Sequence, residues 1–348
     1  MEMKTRLPFL LMSLLLVALL AACGGSGGSG NVPNDAIATV DSTPISKTSF
    51  NSLMAVACAR YKAQGQACPK VGTPTYTQLR DQAVTFLVQQ DEFQTEAKKL
   101  GVTVTQKDID NQVQQIKKTY YKGSEKQLEA ALKKDDITLQ QLEDYNLLPN
   151  LLNSRLQAKV TSDITVSDAA AQKYYTQNKT SFTTPKTREV QHILVNSKSL
   201  AEKIETKLKN GASFAALAKK YSKDTGSAAQ GGKICVAHGG QAGACQQTVA
   251  PFDKAAFSLK TNEISLVHSV YGWHVIQPIA AVKPAHTQTF KEVKTQIQAN
   301  LSSQQKQAAW QKWVTKMQSD FKSKVAYQTG YTPAATTTST TTPATTTG

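Results

Sequence analysis

The apolar residues of this chain change their spacing twice, and that double change restricts the fold more than any other feature. Up to about residue 160 they recur every three or four positions. Leu79, Ala83, Phe86, Leu87, Phe93, Ala97 and Leu100 share one face in this way, as a half-buried helix requires. Gly101 ends that helix, and Thr105, Ser124 and Thr138 each open another with a cap-like pattern. Pro149 is expected to kink the last of them, and Ser167 with Asp168 starts a further short helix. From Pro185 the pattern changes. Residues 188–195 read as a strand with Val190, His192 and Leu194 on one face. Two short helices follow, on Leu200, Ile204 and Leu208 and then behind Ser213, and residues 273–279 read as a closing strand. The Gly- and Ala-rich stretch 225–250 reads mostly as loop, and a short helix is expected at 255–257. After Pro284 helical spacing returns through Phe290, Val293, Ile297, Leu301, Val314, Met317 and Phe321. Trp310 and Trp313 fall in that stripe and read as core.

Neither helical flank is self-sufficient, because each has an apolar face without a partner of its own. The expected fold class is therefore α+β, with a small sheet and its helices inserted in an all-α domain built from both flanks. The expected boundaries are a leader over 1–22, a tether over 23–34 and a helical domain over 35–184. The inserted domain is expected over 185–283, completing helices over 284–328 and a disordered Thr-rich tail over 329–348.

Five cysteines is an odd number, so one must be free, modified or paired outside the chain. The N-terminus accounts for it. Lys4 and Arg6 precede an apolar run over residues 7–20, too short for a comfortable span of about 20 residues. The run ends in Leu20-Ala21-Ala22-Cys23, with small residues before a cleavage point. This string resembles the lipobox of bacterial lipoproteins. The resemblance implies that Cys23 becomes the acylated N-terminus, on the outer face of the cell membrane, and residues 24–30 then read as a Gly/Ser tether. Export permits disulfides. The other four cysteines form two close pairs, Cys58 with Cys68 and Cys235 with Cys245. Each pair is expected to close a short loop worth roughly 3 kcal/mol. Cys235, His238 and Cys245 could supply three zinc ligands, but no fourth is evident and export favours a disulfide, so no metal is expected.

Forty Lys and Arg against 25 Asp and Glu leave a net charge of +15, or +14 without residues 1–22 (Glu2, Lys4 and Arg6). Such a balance suits acidic partners. Outside the cytoplasm nucleic acid is not expected among them. Lipid headgroups and anionic envelope polymers are, unless the charge is simply a solvated lysine surface.

Of the five histidines, His192 and His274 lie on the first and last strand candidates of the inserted segment. First and last strands of a small sheet are often neighbours, and facing imidazoles can bond through their ring nitrogens. A lone strand histidine is more often a packed core residue. His268 and His286 read as surface or packing residues, and no Gly-x-Ser-x-Gly elbow supports a Ser–His–Asp hydrolase.

The surrounding strings carry more. His192-Ile193-Leu194-Val195, residues 211–222 (Gly-Ala-Ser-Phe-Ala-Ala-Leu-Ala-Lys-Lys-Tyr-Ser), Gly231-Gly232, Phe252-Asp253-Lys254-Ala255-Ala256-Phe257 and Gly272-Trp273-His274-Val275-Ile276 occur in that order. Together they resemble the parvulin family of peptidyl-prolyl cis–trans isomerases over about residues 186–280. The helical flanks, Ala38-Thr39-Val40-Asp41 and the lipobox are similar to PrsA-like foldase lipoproteins and SurA-type periplasmic chaperones.

The resemblance implies a site. Its paired histidines fall on His192 and His274, its acidic or thiol position on Asp224, and its hydroxyl beside the histidines on Ser269, a Ser in place of the family's Thr. The proline pocket falls on Ile234, Phe252 and Phe257. No cofactor is implied, and the substrates would be unfolded or partly folded secreted proteins. One departure stands out. The family's Gly-Gly-Asp-Leu-Gly reads Gly231-Gly232-Lys233-Ile234-Cys235, and the loop after it runs longer, through Cys245. That loop and Ser269 favour an alternative, a holdase chaperone whose parvulin-like domain binds clients with little or no isomerase activity.

Overall fold

The computed structural model describes residues 32–334. The expected leader, Cys23, most of the tether and most of the Thr-rich tail lie outside them. The chain forms two compact units, one from residues up to Thr165 together with those from Ser302 onward, the other from Val166 to Leu301.

The first unit opens with β1 (Ala36–Val40) and β2 (Thr43–Ser46), followed by α1 (Lys47–Ala63), α2 (Pro74–Lys99), α3 (Gln106–Tyr121), α4 (Glu125–Lys134), α5 (Leu139–Leu142) and α6 (Leu148–Val160). Ser46, Thr73, Thr105, Ser124 and Thr138 each accept a backbone N–H at the start of a helix, satisfying a donor that the helix itself leaves unpaired. Thr105 with Asp108 and Thr138 with Gln141 form reciprocal capping boxes. The expected kink at Pro149 takes a definite form. One π turn, Glu143–Leu147, separates α5 from α6, and the Leu148 N–H reaches back to the Glu143 carbonyl. A proline lacks the N–H of the regular ladder, so the preceding bonds slip by one residue. A disulfide joins Cys58, near the end of α1, to Cys68 in the loop before α2.

The second unit contains α7 (Asp168–Gln177), β3 (Thr183–Thr184), β4 (Thr187–Val195), α8 (Lys198–Lys209), α9 (Phe214–Tyr221), α10 (Thr225–Ala228), β5 (Lys233–Ala237), α11 (Ala250–Ser258), β6 (Ser265–Ser269), β7 (Gly272–Pro278) and β8 (His286–Thr287). The long helix α12 (Phe290–Phe321) and strand β9 (Val325–Tyr327) end the described chain.

The first unit's core gathers Phe50, Val84, Leu87, Leu128 and Leu156 with Val314, Met317 and Phe321 of α12, so both flanks close over one apolar interior. It is not all-α, however. β9 pairs antiparallel with β1 and completes a three-stranded sheet in the order β2-β1-β9. Tyr331 then packs edge-on against Phe50 at 5.2 Å, and the Ala334 N–H donates to Asp81 at 3.0 Å. The chain thus stays packed several residues beyond the expected start of the tail at 329, because an aromatic ring at 331 has a core face to cover.

In the second unit a four-stranded antiparallel sheet runs in the order β5-β4-β7-β6. Alternation along β4 and β7 gives it two distinct faces. Ile193, Val195 and Val275 pack under α8 and α9, whereas Val190 and Ile276 pack with Phe252 and Ala256 of α11. The stretch 225–250, read from sequence mostly as loop, contains α10 and the edge strand β5. Its glycines disguise a strand whose side chains are half covered. The unit also reaches beyond 185–283, because Ala171 and Tyr175 of α7 pack on Val293 and Ile297 of α12.

Candidate active site

The site lies on the α11 face of the sheet. His192 on β4 and His274 on β7 point to the same side, since the register sets His192 opposite Ile276 and Leu194 opposite His274. Each histidine is 5 % exposed. Their Nδ1 atoms approach to 3.4 Å. His192 Nε2 lies 2.8 Å from Asp224 Oδ2, and His274 Nε2 lies 2.7 Å from Ser269 Oγ. Asp224, Ser269 and the two histidines thus form one unbroken polar chain, although 82 residues separate the histidines in sequence.

The partners assign the protons. A carboxylate only accepts, so His192 Nε2 carries the hydrogen and its Nδ1 is an acceptor. His274 then donates from Nδ1, and its Nε2 accepts from the Ser269 hydroxyl. Ser269 Oγ in turn accepts the Tyr271 N–H at 3.1 Å. Both imidazoles are neutral in this arrangement, and no ring nitrogen of the pair lacks a partner.

Burial acts in the same direction. It lowers the affinity of His192 for a proton, against the pull of Asp224. It lowers His274 to about 4, with help from the neighbouring His192. For Asp224 burial alone would raise the carboxyl. Hydrogen bonds from Ser227 and His192, and then from the Gly226 N–H, outweigh it and hold the group below its ordinary value.

Asp224 caps α10, accepting the Gly226 N–H on Oδ1 at 3.1 Å. Behind it sits Ser227, 3 % exposed. Its hydroxyl donates to Asp224 Oδ2 at 2.5 Å and lies 3.2 Å from His192 Nε2. Sequence reasoning missed Ser227. The one available signal was the run Asp224-Thr225-Gly226-Ser227, a helix start that brings its fourth residue back toward its first.

Phe252 supplies the apolar wall. Its ring is edge-on to both imidazoles, with centroids at 5.2 Å from His192 and 5.1 Å from His274. Ile234 and Phe257 border the same apolar cluster. Phe257 is placed toward the rim, under His238 at 5.0 Å and the Lys186 ammonium at 5.1 Å. The buried Arg188 was also missed. Its guanidinium donates to the carbonyls of Ala256, Leu259 and Ala280, which pins the C-terminal end of α11, and with it Phe252, to the sheet.

Two glycines make the close packing around the site feasible. Gly232 has φ +80°, and a Cβ there would stand 2.4 Å from the His192 carbonyl oxygen. The His192 N–H donates to the Gly232 carbonyl at 2.8 Å, so this turn sets the position of the histidine-bearing strand. Gly272, φ +128°, similarly passes under the Val195 carbonyl.

The long loop after β5 has a defined course. Cys235 and Cys245 are joined, and Gln246 returns alongside β5, donating to the Cys235 carbonyl and accepting from the Ala237 N–H. The loop therefore covers the free outer edge of the sheet. His238 Nδ1 meets Asp253 Oδ2 at 2.6 Å, so His238 ties the loop to α11. Among the described residues no cluster of His, Cys, Asp and Glu could hold a metal ion, and no helix is long and apolar enough to cross a membrane.

Comparison with known proteins agrees with this division. Residues 166–295 match the PPIC-type PPIase domain family, and residues 1–157 the SurA-like N-terminal domain family. The foldase protein PrsA of Caldanaerobacter subterraneus subsp. tengcongensis is 31 % identical over 288 residues, 79 % of this chain and 82 % of that one. The foldase protein PrsA of Clostridium botulinum Langeland is 35 % identical over 221 residues, and the match spans 63 % of either chain. The crystal structure of PrsA from Bacillus subtilis is 27 % identical, covering 82 % of this chain and 92 % of that one, with a TM-score of 0.24. The Caldanaerobacter relative, matched over 82 % of its length, places this chain in the PrsA foldase family, with a SurA-like N-terminal domain and a PPIC-type parvulin domain.

Proposed function

We propose that this chain is an exported folding factor that catalyses cis–trans isomerisation of X–Pro bonds in unfolded or partly folded secreted proteins. It is held to the outer face of the cell membrane through lipid on Cys23, and anionic envelope polymers are among its partners. The observation that carries the reading is the polar chain Asp224–His192–His274–Ser269 beneath the edge-on ring of Phe252.

The chemistry required is modest. Amide resonance sets a barrier of about 20 kcal/mol to rotation, and no bond to a catalyst is needed. The protein has to bind the twisted amide better than either planar form. Phe252, Ile234 and Phe257 grip the proline ring out of water. Twisting makes the prolyl nitrogen more basic and shifts charge at the carbonyl, so groups held in place beforehand lower the barrier. Asp224, partly exposed at the end of the polar chain, faces the carbonyl side. His192 and His274 keep it oriented through their neutral tautomers, and Ser269 closes the far end. No cofactor takes part.

The alternative holdase reading drew on Ser269 and the long loop. Ser269 retains its bond to His274, and the loop runs along the sheet edge, so neither feature favours a passive domain. A protease-free isomerisation assay on a proline peptide decides the matter. His192→Ala and Asp224→Ala should each lower kcat/KM by roughly tenfold to a hundredfold. Full rates in both variants would sink the assignment. Suppressed aggregation of a client without rate acceleration in the parent chain would favour the holdase.

A further inference from the structure

The second unit carries its positive charge unevenly. α8 and α9 cover the sheet face opposite the histidine pair. Between residues 198 and 223 there are seven lysines, all exposed, and two carboxylates, Glu202 and Glu205. Those carboxylates pair with Lys198 and Lys209. Lys203, Lys207, Lys219, Lys220 and Lys223 make no ion pair among the described residues.

Two of these ammonium groups are also drawn together. Lys207 of α8 and Lys220 of α9 lie over the same ring, Tyr221, at 5.7 and 5.2 Å from its centroid. Lys220, and then Lys207, hold the Tyr221 hydroxyl below its ordinary value. Cation–π contact offsets part of the repulsion between two such groups. A bound anion would offset more, and gathered lysines raise the local concentration of anions.

The surface suits a hydrated polyanion better than a bilayer. A face that seats in lipid adds apolar side chains to its basic ones. The large exposed hydrophobic residues of the described chain are Val71, Tyr120, Tyr174, Val270, Tyr271 and Val282, and none belongs to α8 or α9. Lysines spread over two helices fit a run of phosphates more naturally than a single one.

We infer that the α8–α9 face is a docking surface for a phosphodiester polymer of the cell envelope, held by Lys203, Lys207, Lys219 and Lys220 and by Lys223 just after α9. The choice of an envelope polymer rests on the exported reading above. Because the histidines occupy the other face of the sheet, the docked chain keeps its isomerase site open to clients.

The test uses the chain from residue 23 onward and a synthetic poly(glycerol phosphate) as probe, with binding followed by fluorescence anisotropy over a salt series. Log affinity should fall linearly with log salt. Replacing the five lysines with Gln should weaken binding at least tenfold at low salt. It should also flatten the slope by about 3.5, at roughly 0.7 for each phosphate no longer neutralised. The pair Lys207→Gln with Lys220→Gln should account for a clear part of that effect. A charge-matched control, Lys118, Lys122, Lys126, Lys133 and Lys134→Gln in the first unit, should bind as the parent does. Saturating polymer should leave the isomerisation rate unchanged.

Equal weakening in both five-lysine variants would reduce the effect to net charge and overturn the proposal. So would no binding by the parent chain, or tighter binding through the same lysines to vesicles of anionic lipid. Binding does not depend on turnover. A chain that binds polymer but does not isomerise would sink the proposed function alone, and the converse result would sink only the docking surface.

Discussion

His274 presents its Nδ1 to the Nδ1 of His192 at 3.4 Å from the neighbouring strand, and two neutral rings share one hydrogen there while Asp224 and Ser269 meet the outer nitrogens. A further proton on the pair would place an imidazolium in a buried site next to a phenyl ring that cannot hydrate it. Burial accordingly lowers His274 from 6.5 to about 4, and lowers His192 as well. Between those values the unfolded chain holds protons that the folded unit does not. Stability from the pair is therefore intact above about pH 6.5 and is lost as pH falls toward 4. Calorimetry over that range should show the melting temperature of the second unit falling with pH, with a shallower slope in His274→Gln. A slope unchanged by the substitution would show that the pair is not neutral in the folded state.

Ser227 is expected to act through Asp224. Its hydroxyl supplies one of three hydrogen bonds to that carboxylate. Ser227→Ala should raise the Asp224 pKa and loosen its orientation. Removing one bond to a charged group, at about 1–2 kcal/mol, corresponds to a fall of roughly fivefold to thirtyfold in kcat. KM should change little. An altered acid limb in the pH–rate profile and a shifted His192 Nε2 proton resonance would mark a positioning role. Lowered stability with an unchanged profile would mark a merely structural one.

The first unit should respond to pH in the opposite sense. Glu92 of α2 is 6 % exposed, and burial, with the adjacent Asp91, raises its carboxyl from 4.5 to about 8. The folded chain then holds a proton that the unfolded chain releases, so stability is full below about pH 4.5 and is lost as pH rises through 8. Glu92→Gln should stabilise the first unit by up to roughly 4 kcal/mol near pH 9, and by almost nothing near pH 4.5. Denaturant titrations at those two values measure the difference. An equal effect at both would refute the burial argument.

Gly232→Ala should lower the stability of the second unit by roughly 2–4 kcal/mol, because a Cβ there meets the His192 carbonyl at 2.4 Å on a backbone with φ +80°. The first unit's transition should stay where it is. Differential scanning calorimetry resolves the two, and an unshifted second transition would mean that the turn can relax.

Much of this architecture was legible as pattern. Helix starts at Thr105, Ser124 and Thr138 follow from a side-chain oxygen three residues before a free N–H, a purely local interaction. The two cysteine pairs follow from short separations, and β4 and β7 from alternation. Strand β5 was hidden because Gly231, Gly232 and the disulfide loop surround it with turn residues. Strand β9 was hidden because three residues carry no period. Its place beside β1 depends on a return of the chain nearly 290 residues later, which no window of sequence contains.

The site divides along the same line. The ordered motifs around His192 and His274 are properties of the string, and through the family resemblance they made Asp224 and Ser269 candidates as well. Tertiary structure decided the rest: that the rings meet through Nδ1, that Ser227 stands behind Asp224, that Arg188 holds the helix bearing Phe252, and that Lys207 and Lys220 from two helices meet over Tyr221. Local hydrogen bonds and side-chain periodicity act over a few residues and can be read in order. Proton positions, burial and the gathering of charge depend on which distant segments share a surface, and only the closed fold sets that.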